Sequence, residues 1–194
     1  EDRIRLLNRI RLLNSGGIPI AEDGLEKIVR SAISNDVDIP FLRFTSDTAG
    51  AAASADLIFV AVGTPFENRF MNTDQVWRVV ETVKDHVGEN QKILAIKSTV
   101  PIGTTREDQK YLDNSGKNII VVSNPEFLVE GRAVEDTKRP DRVIVGREKH
   151  HDDIVKRVFD ELYLPFLRRS GSVSYMNPCS AELSKLAANA YLAM

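Results

Sequence analysis

The chain has 194 residues, of which 42% are apolar and 28% charged, with a formal net charge of −2. That is an ordinary globular composition, long enough for one domain with a real core, and it holds no basic tract or aromatic-rich positive stretch suited to nucleic acid. No apolar run reaches membrane-spanning length, and a single cysteine, Cys179, excludes an intrachain disulfide, so a soluble cytoplasmic protein is the expectation.

In chain order, the opening EDRIRLLNRIRLLNSGG has the apolar spacing of a helix, with Gly16 and Gly17 as its stop. It contains RIRLLN twice, from Arg3 and from Arg9; two copies are too few for a solenoid and read as a local duplication or a cloning scar. A second helix is expected over Leu25 to Ser34, a short strand over Leu42 to Thr45 and an Ala-rich helix over Asp47 to Ser54. ADLIFVAVG is a continuous apolar run ended by glycine, the pattern of a strand buried on both faces. A helix over Thr73 to Val87, the strand KILAIKS, a helix over Thr104 to Asn114 and the strands NIIVVS and DRVIVG continue the alternation. A helix over His151 to Tyr163, a short strand SVSYM and a last helix from Ser180 complete it. Buried strands alternating with helices predict an α/β, Rossmann-like fold with a mostly parallel, doubly wound sheet. The chain opens inside a helix and stops at NAYLAM without a cap or breaker, as expected of a piece of a longer protein.

In such a sheet ligands bind beyond the carboxyl ends of the strands, so the residues after each strand carry the functional weight. Those are Gly63-Thr64-Pro65, the run from Ser98 to Thr104, and Asn124-Pro125-Glu126. Glycine lets backbone amides approach a phosphate or ring, proline stiffens the turn and hydroxyls can donate. One such loop is an ordinary turn; three along one sheet edge mark a ligand site. NPEFLVEG places Glu126 and Glu130 four apart, one turn apart on one face if the stretch after Pro125 is helical. In the last helix Lys185 and Asn189 share a face among alanines, and a lysine facing carboxylates in a cleft can hold developing negative charge. His150 and His151 are expected to point apart and to hold no metal, Phe127, Tyr163 and Phe166 to be core, and Trp77 to be packing.

GTP, KSTVPIGTT, NPEFLVEG, PDRVIVG and AELSKLAANAYLA, in this order, resemble the UDP-glucose/GDP-mannose dehydrogenase family over roughly Arg9 to the end of the chain. The resemblance implies residues 1–178 as a partial NAD-binding domain and 179–194 as the start of a central helix carrying a homodimer interface. It implies oxidation of the hydroxymethyl C6 of a nucleotide sugar to a carboxylate, with NAD as cofactor. NPEFL favours UDP-glucose over the acetamidosugars; GDP-mannose is the rival substrate, and a non-catalytic nucleotide-binding remnant the rival of another class.

Residue by residue, the resemblance makes Thr99 and Glu126 managers of proton and water, with Glu126 the general base. Glu130 lies near nicotinamide and sugar, Phe127, Leu128, Val129 and Glu130 line the substrate, and Lys185 with Asn189 stabilises the oxyanion. Val62, Gly63, Thr64, Pro65, Ser98, Thr99 and Val100 contact NAD, and Arg9 sits near the adenosine ribose with Arg3 as a rival. The family's Gly-rich phosphate turn and its glycine-framed catalytic cysteine have no match here. Cys179 is expected to be a turn residue beside a Ser180 cap, so the polypeptide alone is expected not to turn over.

Overall fold

The helical spacing at the start of the chain produces α1, Asp2–Asn14, in a computed structural model that describes residues 2–33, 41–167 and 172–194. The helix stops where expected: Gly16 takes φ +83°, and the Gly16 and Gly17 amides donate to Leu13 O and Leu12 O, each at 3.0 Å. The second helix, α2, spans Leu25–Ala32, and the expected continuation at Ser34 falls outside the described residues. The strand expected over 42–45 does not form. Its backbone bonds instead to the Asn14 side chain, with Phe44 N donating to Oδ1 at 2.9 Å and Nδ2 donating to Phe44 O at 2.8 Å. Composition can suit a segment to a strand, but only a hydrogen-bonded neighbour makes it one.

Two compact units are present: Glu1–Thr48 with Leu128–Arg139, and Ala49–Phe127 with Pro140–Met194. At the start of the second lies α3, Thr48–Ser54, then β1, Leu57–Val60, and a hairpin of β2, Phe66–Glu67, and β3, Phe70–Met71. The hairpin was not expected; its turn residues Asn68 and Arg69 take φ of 50° and 69°, and an asparagine at such a place is its one signal. Then follow α4, Asp74–His86, β4, Lys92–Ile96, α5, Thr104–Asp113, and β5, Ile119–Ser123. The first unit regains the chain for α6, Ala133–Lys138, a further helix that apolar spacing did not reveal. The second unit ends with β6, Val143–Gly146, α7, Asp152–Tyr163, β7, Val173–Met176, and α8, Pro178–Leu192.

The sheet order is β1-β4-β5-β6-β7. β1, β4 and β5 are parallel, and so are β6 and β7; between β5 and β6 the direction reverses at one bridge, Ser123 to Gly146. The sheet is therefore mostly parallel, as expected. Beside that bridge the Gln109 amide donates to Ile119 O at 2.9 Å and accepts from Val121 N at 2.7 Å, satisfying β5 backbone as a neighbouring strand would.

Alternate residues of β4 and β5 enter two cores. Leu94, Ile96, Ile119 and Val121 pack with Val76, Val80, Val83 and Leu112 of α4 and α5, while Ile93, Ala95, Ile120 and Val122 pack with Val155 and Phe159 of α7. β1 is less covered than its apolar run suggested: only Val60 is buried and Phe59 is 38% exposed. Among the described residues, no helix is long and apolar enough to cross a membrane.

Candidate functional site

Because β1, β4 and β5 are adjacent and parallel, the loops after them emerge at one edge of the sheet. Hydroxyl groups stitch two of these loops together. Ser98 Oγ donates to Val62 O at 2.8 Å and accepts from Val62 N at 2.9 Å, and Thr64 Oγ1 donates to Thr99 O at 2.8 Å. Between these ties lies Gly63, where an added Cβ would meet only Gln75 Nε2 at 3.9 Å. The backbone of 62–64 is thus held in place and left open, as close approach of a ligand requires. Val100 differs from its loop neighbours: it is 3% exposed and packs in the core, so only its backbone can serve a ligand.

The third loop does not fold as the Glu126–Glu130 spacing suggested. Residues 124–129 form neither helix nor strand, and a turn follows at Glu130 and Gly131. Asn124, 1% exposed, is committed at both ends, with its N–H donating to Ile96 O at 2.8 Å and Nδ2 to Ile144 O at 2.8 Å. Pro125 then disfavours a helical Asn124. The two glutamates are therefore not a helical turn apart. Glu126 and Phe127 end one segment of the second unit, whereas Leu128, Val129 and Glu130, all exposed, belong to the first. In that first unit Glu22 accepts from Gly131 N at 3.0 Å, and Arg9 is exposed on α1. The Arg3 side chain lies outside what is described.

Facing the second unit's loops, α8 buries Ala181, Glu182 and Lys185. Lys185, 7% exposed, donates from Nζ to Glu126 Oε1 at 3.0 Å, and its ammonium lies 5.4 Å from the centre of the Phe127 ring. The Arg142 guanidinium lies 5.2 Å from the same ring. Phe127 is thus half-buried between cations and is not the core residue expected. Phe166, 46% exposed, is not core either. Asn189, one turn beyond Lys185, is exposed, and Thr99 is half-buried.

Two side chains, Lys97 and Tyr163, extend the site beyond those expected, and both meet Asn124. Lys97, just past β4, places Nζ 3.5 Å from Asn124 Oδ1 and 3.5 Å from the Tyr163 hydroxyl, which itself donates to Asn124 Oδ1 at 2.7 Å. Burial lowers the Lys97 ammonium below its ordinary value; Glu126 opposes this and Lys185 adds to it. Tyr163 is pushed up to about 12 by burial, with the Asn124 hydrogen bond pulling the other way. Lys97 and Asn124 stand in the quoted KSTVP and NPEFL stretches, yet nothing in local spacing tells that they meet.

The other early readings are modified in part. Asn177 caps α8, accepting from Ser180 N at 3.0 Å, with Pro178 in the first turn; Ser180 is not the cap, and Cys179 lies inside the helix. His150 and His151 do not point apart, since their ring centres are 4.0 Å from one another. Among the described residues no group of His, Cys, Asp and Glu is placed to hold a metal ion. Trp77 is 39% exposed and packs its ring on Tyr111, with centres 4.4 Å apart.

Comparison with known proteins bears on the same residues. Residues 7–167 match the family model described as UDP-glucose/GDP-mannose dehydrogenase family, NAD binding domain. The UDP-glucose 6-dehydrogenase of Rhizobium meliloti (strain 1021) is 36% identical over 190 residues, which are 96% of this chain and 42% of that protein. The structure of a UDP-glucose dehydrogenase from Pyrobaculum islandicum superposes with a TM-score of 0.84 at 30% identity, covering 96% of this chain and 42% of that one. A GDP-mannose dehydrogenase from Pseudomonas aeruginosa superposes with a TM-score of 0.82 at 26% identity, over 96% and 42% of the two chains. The chain thus spans about two-fifths of the length of the relatives it matches.

Proposed function

The chain belongs to the UDP-glucose/GDP-mannose dehydrogenase family, and from that premise we propose that it is part of an enzyme that oxidises the C6 hydroxymethyl of UDP-glucose to the carboxylate of UDP-glucuronate. The change is a four-electron oxidation: alcohol and water become carboxylate, two NAD are reduced to NADH and three protons are released. NAD supplies the hydride acceptor. The open, hydroxyl-stitched loops carrying Val62, Gly63, Thr64, Pro65, Ser98, Thr99 and Val100 fit a dinucleotide laid across the strand ends, and Arg9 is assigned to the adenosine ribose.

The observation that carries the proposal is the ion pair between Lys185 and Glu126 at that same edge. A buried ammonium beside a carboxylate can stabilise negative charge on the C6 oxygen while the carboxylate takes a proton or orients water. Thr99 shares the handling of water, and Asn189 assists Lys185 as a neutral donor. Phe127, Leu128 and Val129 line the sugar, and Glu130 approaches sugar and nicotinamide. The exposed Leu183 and Tyr191 on α8 support a homodimer through that helix. The setting proposed is the cytoplasm, with the uronate product directed to polysaccharide biosynthesis.

GDP-mannose is the second reading, supported by the similar TM-score of 0.82, while the higher identity of the UDP-glucose relatives favours the first. The test follows NADH absorbance with the intact protein, NAD and a panel of nucleotide sugars. Two NADH per UDP-glucose consumed is the expected result. NADH formed only with GDP-mannose would move the substrate assignment, and NADH formed with no nucleotide sugar would end the enzymatic reading.

A further inference from the structure

We infer that Glu182 is a positioning residue, which clasps the loop of residues 97–104 to α8 and so sets the spacing between Thr99 and Lys185. Its side chain is 3% exposed and spans the start of α5: Oε2 accepts from Gly103 N at 2.6 Å, and Oε1 accepts from Thr105 N at 2.8 Å and from Thr105 Oγ1 at 2.7 Å. A carboxylate is well matched to the unsatisfied N–H groups and positive dipole end of a helix. Helices ordinarily meet that need locally, with a serine, threonine or aspartate at the cap position. Here the cap position is Gly103, at φ 103°, which offers no side chain and adopts a backbone that other residues resist.

The acceptor comes instead from a helix that begins 75 residues after Gly103, counting from 103 to Pro178. Burying a carboxylate for this purpose costs desolvation that a local cap would avoid. What the distant carboxylate adds is a fixed relation between two elements. Glu182 and Lys185 lie three apart on the buried face of α8, so the group that grips α5 and the group that pairs with Glu126 move as one body. The loop is then anchored at both ends, with Ser98 tied to Val62 and Gly103 and Thr105 tied to Glu182. Thr99 sits between the anchors. The catalytic consequence rests on the function proposed above; the clasp itself does not.

The test compares the intact protein with Glu182→Ala and Glu182→Gln, and with Val155→Ala as a control that loses stability in the other core, away from this loop. Three measurements are made: amide hydrogen exchange at Gly103 and Thr105, NAD affinity by titration calorimetry, and steady-state kinetics. In Glu182→Ala, exchange at these two amides is expected to quicken by about 10²-fold without a matching change in β4 or β5. NAD affinity and kcat should each fall by about 10-fold, beyond any change in Val155→Ala at equal loss of Tm. Glu182→Gln keeps one acceptor oxygen, so it should recover protection at Thr105 and part of the affinity; it also carries the test if the alanine variant does not fold. Unchanged exchange at Gly103 and Thr105, or affinity losses no greater than in the control, would overturn the inference. If the wild type oxidises no nucleotide sugar, the proposed function fails alone, because exchange and NAD affinity still decide this one.

Discussion

Glu126 and Lys185 are 59 residues apart in the chain and 3.0 Å apart in space. One end of the pair is 9% exposed by side chain and the other 33%, so the ammonium is the buried partner and the carboxylate the accessible one. A partner that can meet solvent or substrate suits proton handling, and a buried cation suits charge stabilisation.

Replacing that cation should therefore act on rate before binding. In the intact enzyme Lys185→Ala is expected to lower kcat by ~10²–10³, as loss of an oxyanion donor does, while the apparent constant for NAD changes by only a few-fold. Initial rates with UDP-glucose at varied NAD give both numbers. A variant that keeps kcat and loses only NAD affinity would remove Lys185 from the chemistry.

Asp108 faces the α5–α8 junction with Oδ2 buried and lacking a hydrogen-bond partner, and burial, then Glu107 and Glu182, push its carboxyl up to about 7 from the ordinary 3.8. Between roughly pH 4 and pH 7 the folded chain holds a proton that the unfolded chain has released. Stability should fall as pH rises through that window and level off above it, by an amount on the order of 4 kcal/mol. Asp108→Asn should flatten this part of the profile and raise Tm at pH 8. Thermal melts from pH 4.5 to 8 on both proteins isolate the effect, and parallel profiles would refute it.

Lys97 has the opposite sense, because burial lowers a base. From its lowered value up to 10.5 the unfolded chain keeps a proton that the folded chain has lost, so wild-type stability should rise with pH across that interval. Lys97→Met should lack this rise and be at least as stable as wild type at pH 7, since Tyr163 and Asn124 continue to satisfy each other. Urea titrations at pH 7 and pH 9.5 measure both; a marked loss of stability at pH 7 would contradict the expectation.

Gly146 marks where β6 meets α8. A Cβ there would stand 2.6 Å from Ala181 Cβ and 2.8 Å from Pro178 Cα, and the second of these is backbone that cannot swing aside. Gly146→Ala should cost about 1–3 kcal/mol, read as a lower Tm. Adding Ala181→Gly relieves the first contact but not the second, so it should restore only part of the loss.

The strands KILAI, IIVVS and VIVG declared themselves in sequence because each is buried on both faces of a sheet, and only a continuous apolar run survives that environment. Helices α4 and α7 were legible for a similar reason, since a one-sided core imposes its period on the residues facing it. Pairing was not legible. The segment 42–45 has strand-like composition but meets an asparagine side chain. Glu126 and Glu130 would share a helix face only if the stretch after Pro125 were helical, and it is not: Asn124 is held to Ile96 and Ile144 and the residues after it form a loop. Lys185 could be named from its surroundings in α8, whereas Glu182 reads locally as one more charge on a helix. Its worth lies in hydrogen bonds to residues 77 and 79 positions away, and bonds of that reach are set by how elements pack, not by the period of either one.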